Sequence, residues 1–385
     1  MRLFIEPNDV WLFRDGRPFD VYAGHRAHTL FPPFPTVMQG MIRSAHLAFC
    51  GVRLDDYLRG NAPKEIIDAI GAPSTAPPFK LRGPFVTKCD VNQKTQRFFP
   101  RPADAYLIDG SYVALKPREP EANTLSNIPD GLRLLYPVRE SQEKSSGKVS
   151  GLDDWWPEMM LQKYLRDGEV AQAELRQTAI EQKQDNLDLP ISIWKTEDRF
   201  GVHLQSDIRR PRDGFIYEIE YARLEDGFGL EIEVEGLPEE PWPQIGMVRL
   251  GGDGRAAHFT RLDGPLALPS VGTVGDKTKI YFAAPAYFAG GWKPKNWADF
   301  FAGEVELVAA ALDKPLAVGG IDLASAEKSV HSDKAAAAMH KPARRYVQAG
   351  SVYFFADNLK LQENVFGVTD DGQNLGFGQI IFGRW

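Results

Sequence analysis

Short apolar runs, separated by glycine, proline or charged residues, recur along the whole chain. Apolar and polar positions alternate along Phe215–Arg223 and Leu230–Val234, which predicts a strand pair around a turn at Glu225–Gly227. The same composition predicts further strands at Leu3–Ile5, Val10–Phe13, Lys80–Thr87, Ala105–Leu115, Trp194–Leu204, Ala257–Leu262, Lys279–Phe288, Val305–Ala311 and Tyr346–Phe355, the last interrupted at Ala349-Gly350-Ser351.

Helical spacing of apolar residues is rarer. It predicts one helix that begins at Thr36, with the Thr36 hydroxyl as its cap, and that buries Met38, Met41, Ile42, Ala45 and Phe49. Further helical segments are predicted at Leu54–Ile70 and, as two short helices parted at Asp167-Gly168, over Trp155–Gln184. Strands that predominate over a few helices favour an α+β fold with antiparallel sheets.

Two glycine clusters suggest an internal duplication. L-G-G-D-G-R (250–255) is echoed by L-G-F-G-Q (375–379), and each cluster adjoins a predicted strand. Glycine-rich turns let backbone N–H groups approach a phosphate, although most such clusters are simply tight turns. We therefore predict two units, 1–262 and 263–385, each with a glycine-rich loop, and a helical insertion at about 140–190 in the first.

A basic turn near the amino terminus is the other candidate site. F-R-D-G-R-P-F (13–19) is followed by a proline-rich stretch and then by the first helix. Arg14, Arg17 and Arg43 are expected near the amino-terminal end of this helix, where free N–H groups and the helix dipole favour anions. The alternative is that these arginines are solvated or pair with Asp15 and Asp20.

Composition limits the possible function classes. A net charge of −7 and a pI near 5.6 argue against a free-standing, non-specific nucleic-acid binder, but leave room for a local basic groove. Cys50 and Cys89 have no zinc-ligand spacing, so we expect no metal site and a reducing compartment. With no phosphate-binding or dinucleotide motif, no cofactor is expected. No apolar run approaches the ~20 residues of a membrane span, and the amino terminus does not read as a signal peptide, which predicts a soluble, cytoplasmic protein.

Six motifs occur in a recognisable order along the chain. They are F-R-D-G-R-P-F with the following F-P-P and Gly40-x-x-Arg43, E-D-R-F-G-V (197–202), L-G-G-D-G-R, K-P-L-A-V-G-G-I-D (314–322), K-P-A-R-R-Y-V-Q-A-G-S-V-Y-F-F (341–355), and the terminal G-F-G…G-R-W. Together they resemble the third-subunit family of the Cmr complex, the type III-B CRISPR effector. Gln348 stands where that family commonly has Pro, and Asp253 where it commonly has Glu.

The resemblance implies a repeat-associated (RAMP) protein with two ferredoxin-like, RNA-recognition-type units. It implies a non-catalytic subunit in antiviral defence that binds the 5′ tag of the CRISPR RNA (crRNA) and docks on the large polymerase-like subunit and on the first backbone RAMP subunit. A protruding β-hairpin thumb would wedge the guide–target RNA duplex, and Ser206–Gly214 or the loop 18–35 are its candidates here.

On this hypothesis, basic side chains neutralise tag phosphates and glycine backbones approach the RNA, with Phe377 stacking on a splayed base. The predicted RNA-binding residues are Arg14, Arg17, Arg43, Arg209, Arg210, Gly252, Gly254, Arg255, Lys341, Arg344, Arg345, Gly376, Phe377 and Gly378. Two alternatives stay open. One is a RAMP-superfamily endoribonuclease that processes precursor crRNA with His25, His28 or His46 as general base. The other is an assembly protein without RNA contact.

Overall fold

The computed structural model describes residues 1–15, 26–108, 110–119, 128–129, 131–137, 155–171, 173–174, 193–204, 211–271, 277–321 and 340–385. Its helices are α1 (Pro35–Phe49), α2 (Leu54–Leu58), α3 (Lys64–Ile70) and α4 (Glu158–Asp167). Its strands are β1 (Arg2–Pro7), β2 (Arg26–Ala27), β3 (Lys80–Cys89), β4 (Thr95–Pro100), β5 (Ala105–Ile108), β6 (Ser111–Ala114), β7 (Lys116–Arg118), β8 (Leu134–Tyr136), β9 (Trp155–Pro157), β10 (Glu169–Ala171), β11 (Trp194–Leu204), β12 (Pro211–Leu224), β13 (Phe228–Glu235), β14 (Ile245–Arg249), β15 (Ala256–Leu262), β16 (Thr278–Phe282), β17 (Ala286–Tyr287), β18 (Phe301–Ala302), β19 (Leu307–Ala311), β20 (Leu316–Ile321), β21 (His340–Val347), β22 (Val352–Phe355), β23 (Lys360–Leu361) and β24 (Ile380–Arg384).

The chain is mixed α and β, with antiparallel sheets and few helices, and it divides into two compact units that interleave along the sequence. The first unit consists of Met1–Lys94, Ile193–Leu266 and Ala317–Arg345. The second consists of Thr95–Ser192, Ala267–Leu316 and Tyr346–Trp385. This division differs from the contiguous one predicted at 262/263, because strands distant in sequence complete each sheet.

The main sheet of the first unit has the order β14-β15-β1-β13-β3, with every neighbouring pair antiparallel. β1 and β3 are both antiparallel to β13, so they run in the same direction with β13 between them. The connection from β1 to β3 passes through α1, which makes a split β-α-β arrangement. A complete ferredoxin-like unit would have a second helix between β13 and β15. The described residues form the strand β14 there instead.

The second unit repeats this strand order. Its four-stranded sheet runs β19-β22-β16-β24, again antiparallel throughout. Counting the four strands in chain order within each unit gives the order 4-1-3-2 for both, with β14 added at one edge of the first. The two glycine clusters directly precede the fourth strand in each case, β15 and β24, so they occupy corresponding positions.

Helix α1 buries the apolar stripe that its sequence predicts. Met38, Met41, Ile42 and Ala45 are buried, and Phe49 packs edge-on against Trp242 and Phe259. The predicted cap is wrong: the helix begins at Pro35, Phe34 occupies the cap position, and no side chain caps it. Proline at the first helical position has a suitable φ and no N–H to satisfy, so a hydroxyl cap is not required.

Three other predicted elements change in the structure. The predicted helix Leu54–Ile70 is divided into α2 and α3, because Gly60 adopts φ +80° and proline follows at 63. The predicted end at Asp167-Gly168 is confirmed by Gly168 in the left-handed region after α4, although the strand β10 follows. β12 and β13 are both strands, but they belong to different sheets instead of pairing with each other.

The second unit buries an ion pair. Lys279 on β16 and Asp104 are both 0% exposed, and Lys279 Nζ donates to Asp104 Oδ2 at 2.8 Å. The ammonium also lies 4.5 Å from the centroid of the Tyr164 ring on α4. Burial raises the pKa of Tyr164 well above its ordinary value, with the charge of Asp104 as a further cause. The pair thus joins α4 to the sheet through charges that have no access to water.

No helix among the described residues combines the length and the apolar composition needed to cross a lipid bilayer.

Candidate nucleic-acid interface

The first glycine cluster, residues 250–255 and here called the glycine loop, packs on the segment that leads to the predicted basic turn. The Gly252 N–H donates to the Leu12 carbonyl at 2.7 Å. Gly251 has φ +88°, and a Cβ there would lie 2.7 Å from the same oxygen, so only glycine fits. Arg14 is exposed two residues further on. The glycine loop and Arg14 therefore lie in the same region of the first unit.

The Tyr221 side chain on β12 connects the glycine loop to the hairpin formed by β11 and β12. Its hydroxyl donates to Asp253 Oδ2 at 2.7 Å, and Asp253 has φ +56°. The guanidinium of Arg255 lies 4.7 Å from the ring centroid and that of Arg199 lies 5.3 Å from it. Both distances are within the range of cation–π attraction. The tyrosine thereby fixes two arginines beside the loop.

Two carboxylates hold three arginines at the base of this hairpin. Arg199 and Arg223 each donate to Asp9 at 2.8 Å and also to Glu197, while Arg255 Nη1 lies 3.7 Å from Asp9. Hydrogen bonds from the arginines, first that of Arg223, lower the pKa of Glu197 to about 2. Hydrogen bonds from Arg199 and Arg223 likewise lower the pKa of Asp9. The carboxylates stay ionised and keep the guanidinium groups in place.

These arginines retain capacity to bind a further anion. Each of the three guanidinium groups has five N–H donors, and the two carboxylates of Asp9 and Glu197 offer only four oxygen atoms between them. Some of the N–H donors therefore stay available to another acceptor. The side chains of Arg199, Arg223 and Arg255 are 36%, 33% and 26% exposed, so water reaches part of each. Phosphate oxygens are suitable acceptors for such partly exposed, fixed guanidinium groups.

Alternation along the hairpin gives its two faces opposite charge. One, here called the basic face, is formed by Lys195, Glu197, Arg199 and Gly201 of β11 opposite Arg223, Tyr221, Ile219 and Tyr217 of β12. The other, the acidic face, carries Asp198, Glu218 and Glu220, which surround Arg26 of β2 at 3.1 to 3.3 Å. The strand residues of the first face carry three cations and one carboxylate, and those of the second carry three carboxylates beside Arg26. A polyanion would be repelled by the second face, whereas on the first it would meet guanidinium groups that carboxylates hold in place.

An aromatic ring covers part of the basic face. Gly201 lies opposite Tyr217, and a Cβ at Gly201 would come within 2.2 Å of the Tyr217 ring. The ring therefore lies against the backbone of β11 and is partly exposed. The hairpin tip, residues 205–210, lies outside the described residues, and with it Arg209 and Arg210. Arg17 lies outside them as well.

The second glycine cluster is buried. Gly376, Phe377 and Gly378 are all buried, Phe377 is 3% exposed, and Tyr346 stacks on it at 5.5 Å between ring centroids. The Gly378 N–H donates to the Pro285 carbonyl, and a Cβ at Gly378 would lie 2.4 Å from the Val368 oxygen. These glycines allow close packing of backbone within the second unit. As folded, Phe377 presents no open ring face to a base.

Arg43 also has a structural role and does not join Arg14 at the amino-terminal end of α1. It is the ninth residue of that helix, and its guanidinium donates to the carbonyls of Ile70 at 2.9 Å and Thr75 at 2.7 Å. Burial lowers its pKa. Arg43 therefore ties α1 to the end of α3.

The remaining predicted residues lie on β21. Arg344 and Arg345 are exposed there, while the side chain of Lys341 is not described. β21 pairs with β17 through Tyr346 and Val347. Since Arg345 ends a segment of the first unit and Tyr346 begins one of the second, this strand belongs to both units.

Of the three histidines of the enzyme alternative, the structure describes His28 and His46. His46 is 2% exposed, its Nδ1 accepts a hydrogen bond from Trp242 Nε1 at 3.1 Å, and burial lowers its pKa. His28 Nδ1 lies 3.4 Å from Glu220 on the acidic face, which repels RNA. His25 lies outside the described residues.

The sequence reasoning did not select Asp9, Arg199, Tyr217, Tyr221 or Arg223. A signal is present, because Lys195, Glu197 and Arg199 alternate along β11 and Tyr217, Tyr221 and Arg223 all occupy odd-numbered positions of β12. Their shared face depends on the register between β11 and β12, however, and the strand pairing inferred for β12 was with β13.

One comparison with known proteins identifies a family. A family model described as CRISPR-associated protein (Cas_Cmr3) matches residues 3–385. Chains of two cryo-electron microscopy structures are similar to this chain at 14% and 15% identity. One is described as Type III-B Cmr-beta bound to cognate target RNA and AMPPnP, the other as Type III-B Cmr-beta bound to cognate target RNA; each match covers 92% of this chain and 86% of the other, with TM-scores of 0.46 and 0.47.

A chain of a crystal structure described as the Csm3-Csm4 subcomplex of the type III-A CRISPR-Cas interference complex is 10% identical, with 94% and 98% coverage and a TM-score of 0.38. At these TM-scores the likenesses add nothing to the family match. No curated protein sequence matches the chain.

Proposed function

The chain belongs to the CRISPR-associated Cas_Cmr3 family, and from that membership we propose that it is a non-catalytic, RNA-binding subunit of a type III-B CRISPR (Cmr) effector complex. In this role it holds the 5′ tag of crRNA on the first unit, at the glycine loop, Arg14 and the basic face of the hairpin. The complex acts in antiviral defence in the cytoplasm.

One observation carries the proposal: three stretches that are separate in sequence meet at one place. The hydrogen bond from Gly252 to Leu12 joins the glycine loop to the segment before the basic turn, and Tyr221 joins the loop to the hairpin that contains E-D-R-F-G-V. Arginines in this place are held by carboxylates before any ligand arrives, which reduces the entropy lost on binding. The exposed glycine loop lets an RNA backbone approach closely. Its Gly252 amide is already used by Leu12, so we assign phosphate binding to the guanidinium groups.

The hairpin formed by β11 and β12 is our candidate for the thumb that wedges the guide–target duplex. Its strands pair from Trp194–Leu224 to Val202–Ile216 without interruption, and the register shifts only before Leu204. Among the described residues β2 pairs with β12 only at Glu218 and Ile219, so the part of the hairpin beyond Glu218 can project from the unit toward RNA. Of the two sequence candidates, Ser206–Gly214 belongs to this hairpin.

The order of strands supports two ferredoxin-like units as the framework of the proposal. The order 4-1-3-2, with all neighbours antiparallel, occurs in both units. A duplicated framework explains why a glycine cluster precedes the fourth strand twice. We propose that the first cluster has kept an RNA-facing role, while the second serves packing. The large polymerase-like subunit and the first backbone RAMP subunit are the proposed protein partners.

Replacing Tyr217 tests the basic face as the RNA-binding surface. Tyr217→Ala in the reconstituted complex should weaken crRNA binding by about 5- to 150-fold, because one base–aromatic stack contributes ~1–3 kcal/mol. Tyr217→Phe should retain most of the affinity, since it keeps the ring. Binding is measured by fluorescence anisotropy of labelled crRNA at one fixed salt concentration. Equal affinity of the alanine variant and the unaltered complex would remove Tyr217 from the interface.

An RNA-cleavage assay on the same purified complexes distinguishes the endoribonuclease alternative from a non-catalytic subunit. Incubation of the complex with precursor crRNA should leave its length unchanged. Specific cleavage that disappears on His28→Asn would favour the enzyme.

A further inference from the structure

An edge strand of the first unit leaves its backbone open. β14 ends the order of the main sheet, and among the described strands it pairs with β15 alone. Gln244 accepts a hydrogen bond from Arg261 N–H, and Leu250 N–H donates to Arg255. Because such bonds alternate along an antiparallel pair, Ile245, Met247 and Arg249 direct their N–H and C=O groups away from β15. No described residue bonds to these groups.

The side chains of this edge are also unusual. Ile245 is 65% exposed and Met247 is 54% exposed, and Arg249 is exposed beside them. Sheet edges are normally protected by charged side chains, above all lysine, by proline, by a bulge or by an inward charge. I-G-M-V-R has one charged side chain, Arg249 at its end, but no lysine or proline, and its register with β15 is continuous. The hairpin strand β11, by contrast, carries four charged side chains and an irregular register near its end.

We propose that β14 is a docking edge for an extended strand of another protein, which joins the sheet beside it. The partner strand contributes backbone hydrogen bonds at alternate residues, as in β-strand addition. Its side chains next to Ile245 and Met247 are apolar, and a carboxylate lies opposite Arg249, which forms no ion pair with a described residue. The choice of partner rests on the proposed function, because we expect the partner strand to belong to another subunit of the Cmr complex.

A second copy of this chain fits the edge less well. Two β14 strands can pair antiparallel through the outward N–H and C=O groups of Ile245, Met247 and Arg249. Three registers pair at least two of these residues in each strand, and they place Arg249 opposite Ile245, Met247 or Pro243. None of them supplies a carboxylate, and Pro243 has no N–H to contribute. The charge of Arg249 therefore favours a different protein.

Hydrogen–deuterium exchange with residue resolution tests the docking edge. The full chain alone is compared with the Cmr complex purified through a tag on this chain. The amides of Ile245, Met247 and Arg249 should exchange rapidly in the free chain and about tenfold or more slowly in the complex. An Ile245→Lys/Met247→Lys variant places protective charges on the edge and should lose the slow exchange at Arg249. Val91→Lys, at a site 98% exposed elsewhere, should retain it.

Each remaining outcome is decisive. Fast exchange of the three amides in a complex that contains crRNA would overturn the docking edge while leaving the RNA proposal intact. Slow exchange in a complex without crRNA would support the edge and contradict RNA binding. Protection of the free chain that rises with concentration, together with the mass of a dimer, would identify a second copy as the occupant and overturn the proposal.

Discussion

Reversing the charge of Arg14 and Arg17 should lower the crRNA content of the purified Cmr complex by about tenfold or more. A hydrogen bond to a charged group contributes ~1.5–3 kcal/mol, and 1.4 kcal/mol is a factor of ten in affinity. The Arg14→Glu/Arg17→Glu variant removes two proposed phosphate contacts and, at Arg14, adds repulsion next to the glycine loop. RNA content is measured by quantitative electrophoresis of RNA extracted from equal amounts of complex.

The salt dependence of binding gives the same experiment a second readout. Loss of two phosphate contacts should reduce the slope of log affinity against log salt by about 1.4, at about 0.7 per contact for a single strand. The control is Arg53→Glu, since the Arg53 side chain is 77% exposed and its ion pair within the described part of the chain is a local one, with Asp55. If the double variant and the control retain equal amounts of crRNA, Arg14 and Arg17 do not contact it.

Replacing Lys279 should destabilise the protein by about 3–5 kcal/mol, because removal of one partner leaves the other charge buried and uncompensated. Lys279→Met keeps the volume of the side chain but leaves the Asp104 carboxylate without its cation. Tyr164 also loses the ammonium that its ring faces. The free energy of unfolding is measured by urea denaturation of the full chain.

Two further variants interpret that result. Lys279→Met combined with Asp104→Leu should recover much of the lost stability, because the buried pair is then removed as a whole and neither of its charges is left without its partner. Lys195→Met removes a cation that is 63% exposed and pairs with Glu225, and should change stability by less than about 1 kcal/mol. A loss below about 1 kcal/mol for Lys279→Met would mean that water reaches the Asp104 carboxylate.

The sequence predicts most elements of this fold where one side chain pattern dominates. Helix α1 follows from the spacing of Met38, Met41 and Ile42, because these side chains lie on one face, and can be buried together, only if the segment is helical. The interruption of the late strand at 349–351 and the end of α4 at Gly168 follow from glycine. Partnership between strands is not local information, and β12 and β13 are therefore neighbours in sequence but not in a sheet.

The sequence predicts only those parts of the candidate site that local residue patterns mark, because strand partnership is not local information. The glycine loop and Arg14 were selected from their residue types, and the Gly252–Leu12 hydrogen bond places the loop beside the segment leading to Arg14. Phe377 has the composition of a stacking residue, yet Tyr346 covers it, and a sequence does not show what covers a ring. Arg199 and Arg223 became candidates only when the register of the hairpin put them on one face.

We propose that the RNA tag lies on the first unit, against the glycine loop and the basic face of the hairpin. The most direct measurement is photocrosslinking of crRNA that carries 4-thiouridine in its tag, within the reconstituted Cmr complex, followed by mass spectrometry of the crosslinked peptides. We predict crosslinks to residues 9–15, 194–202, 217–223 or 250–255 of this chain. A tag that crosslinks only to other subunits, or only to the second unit of this chain, would contradict the account.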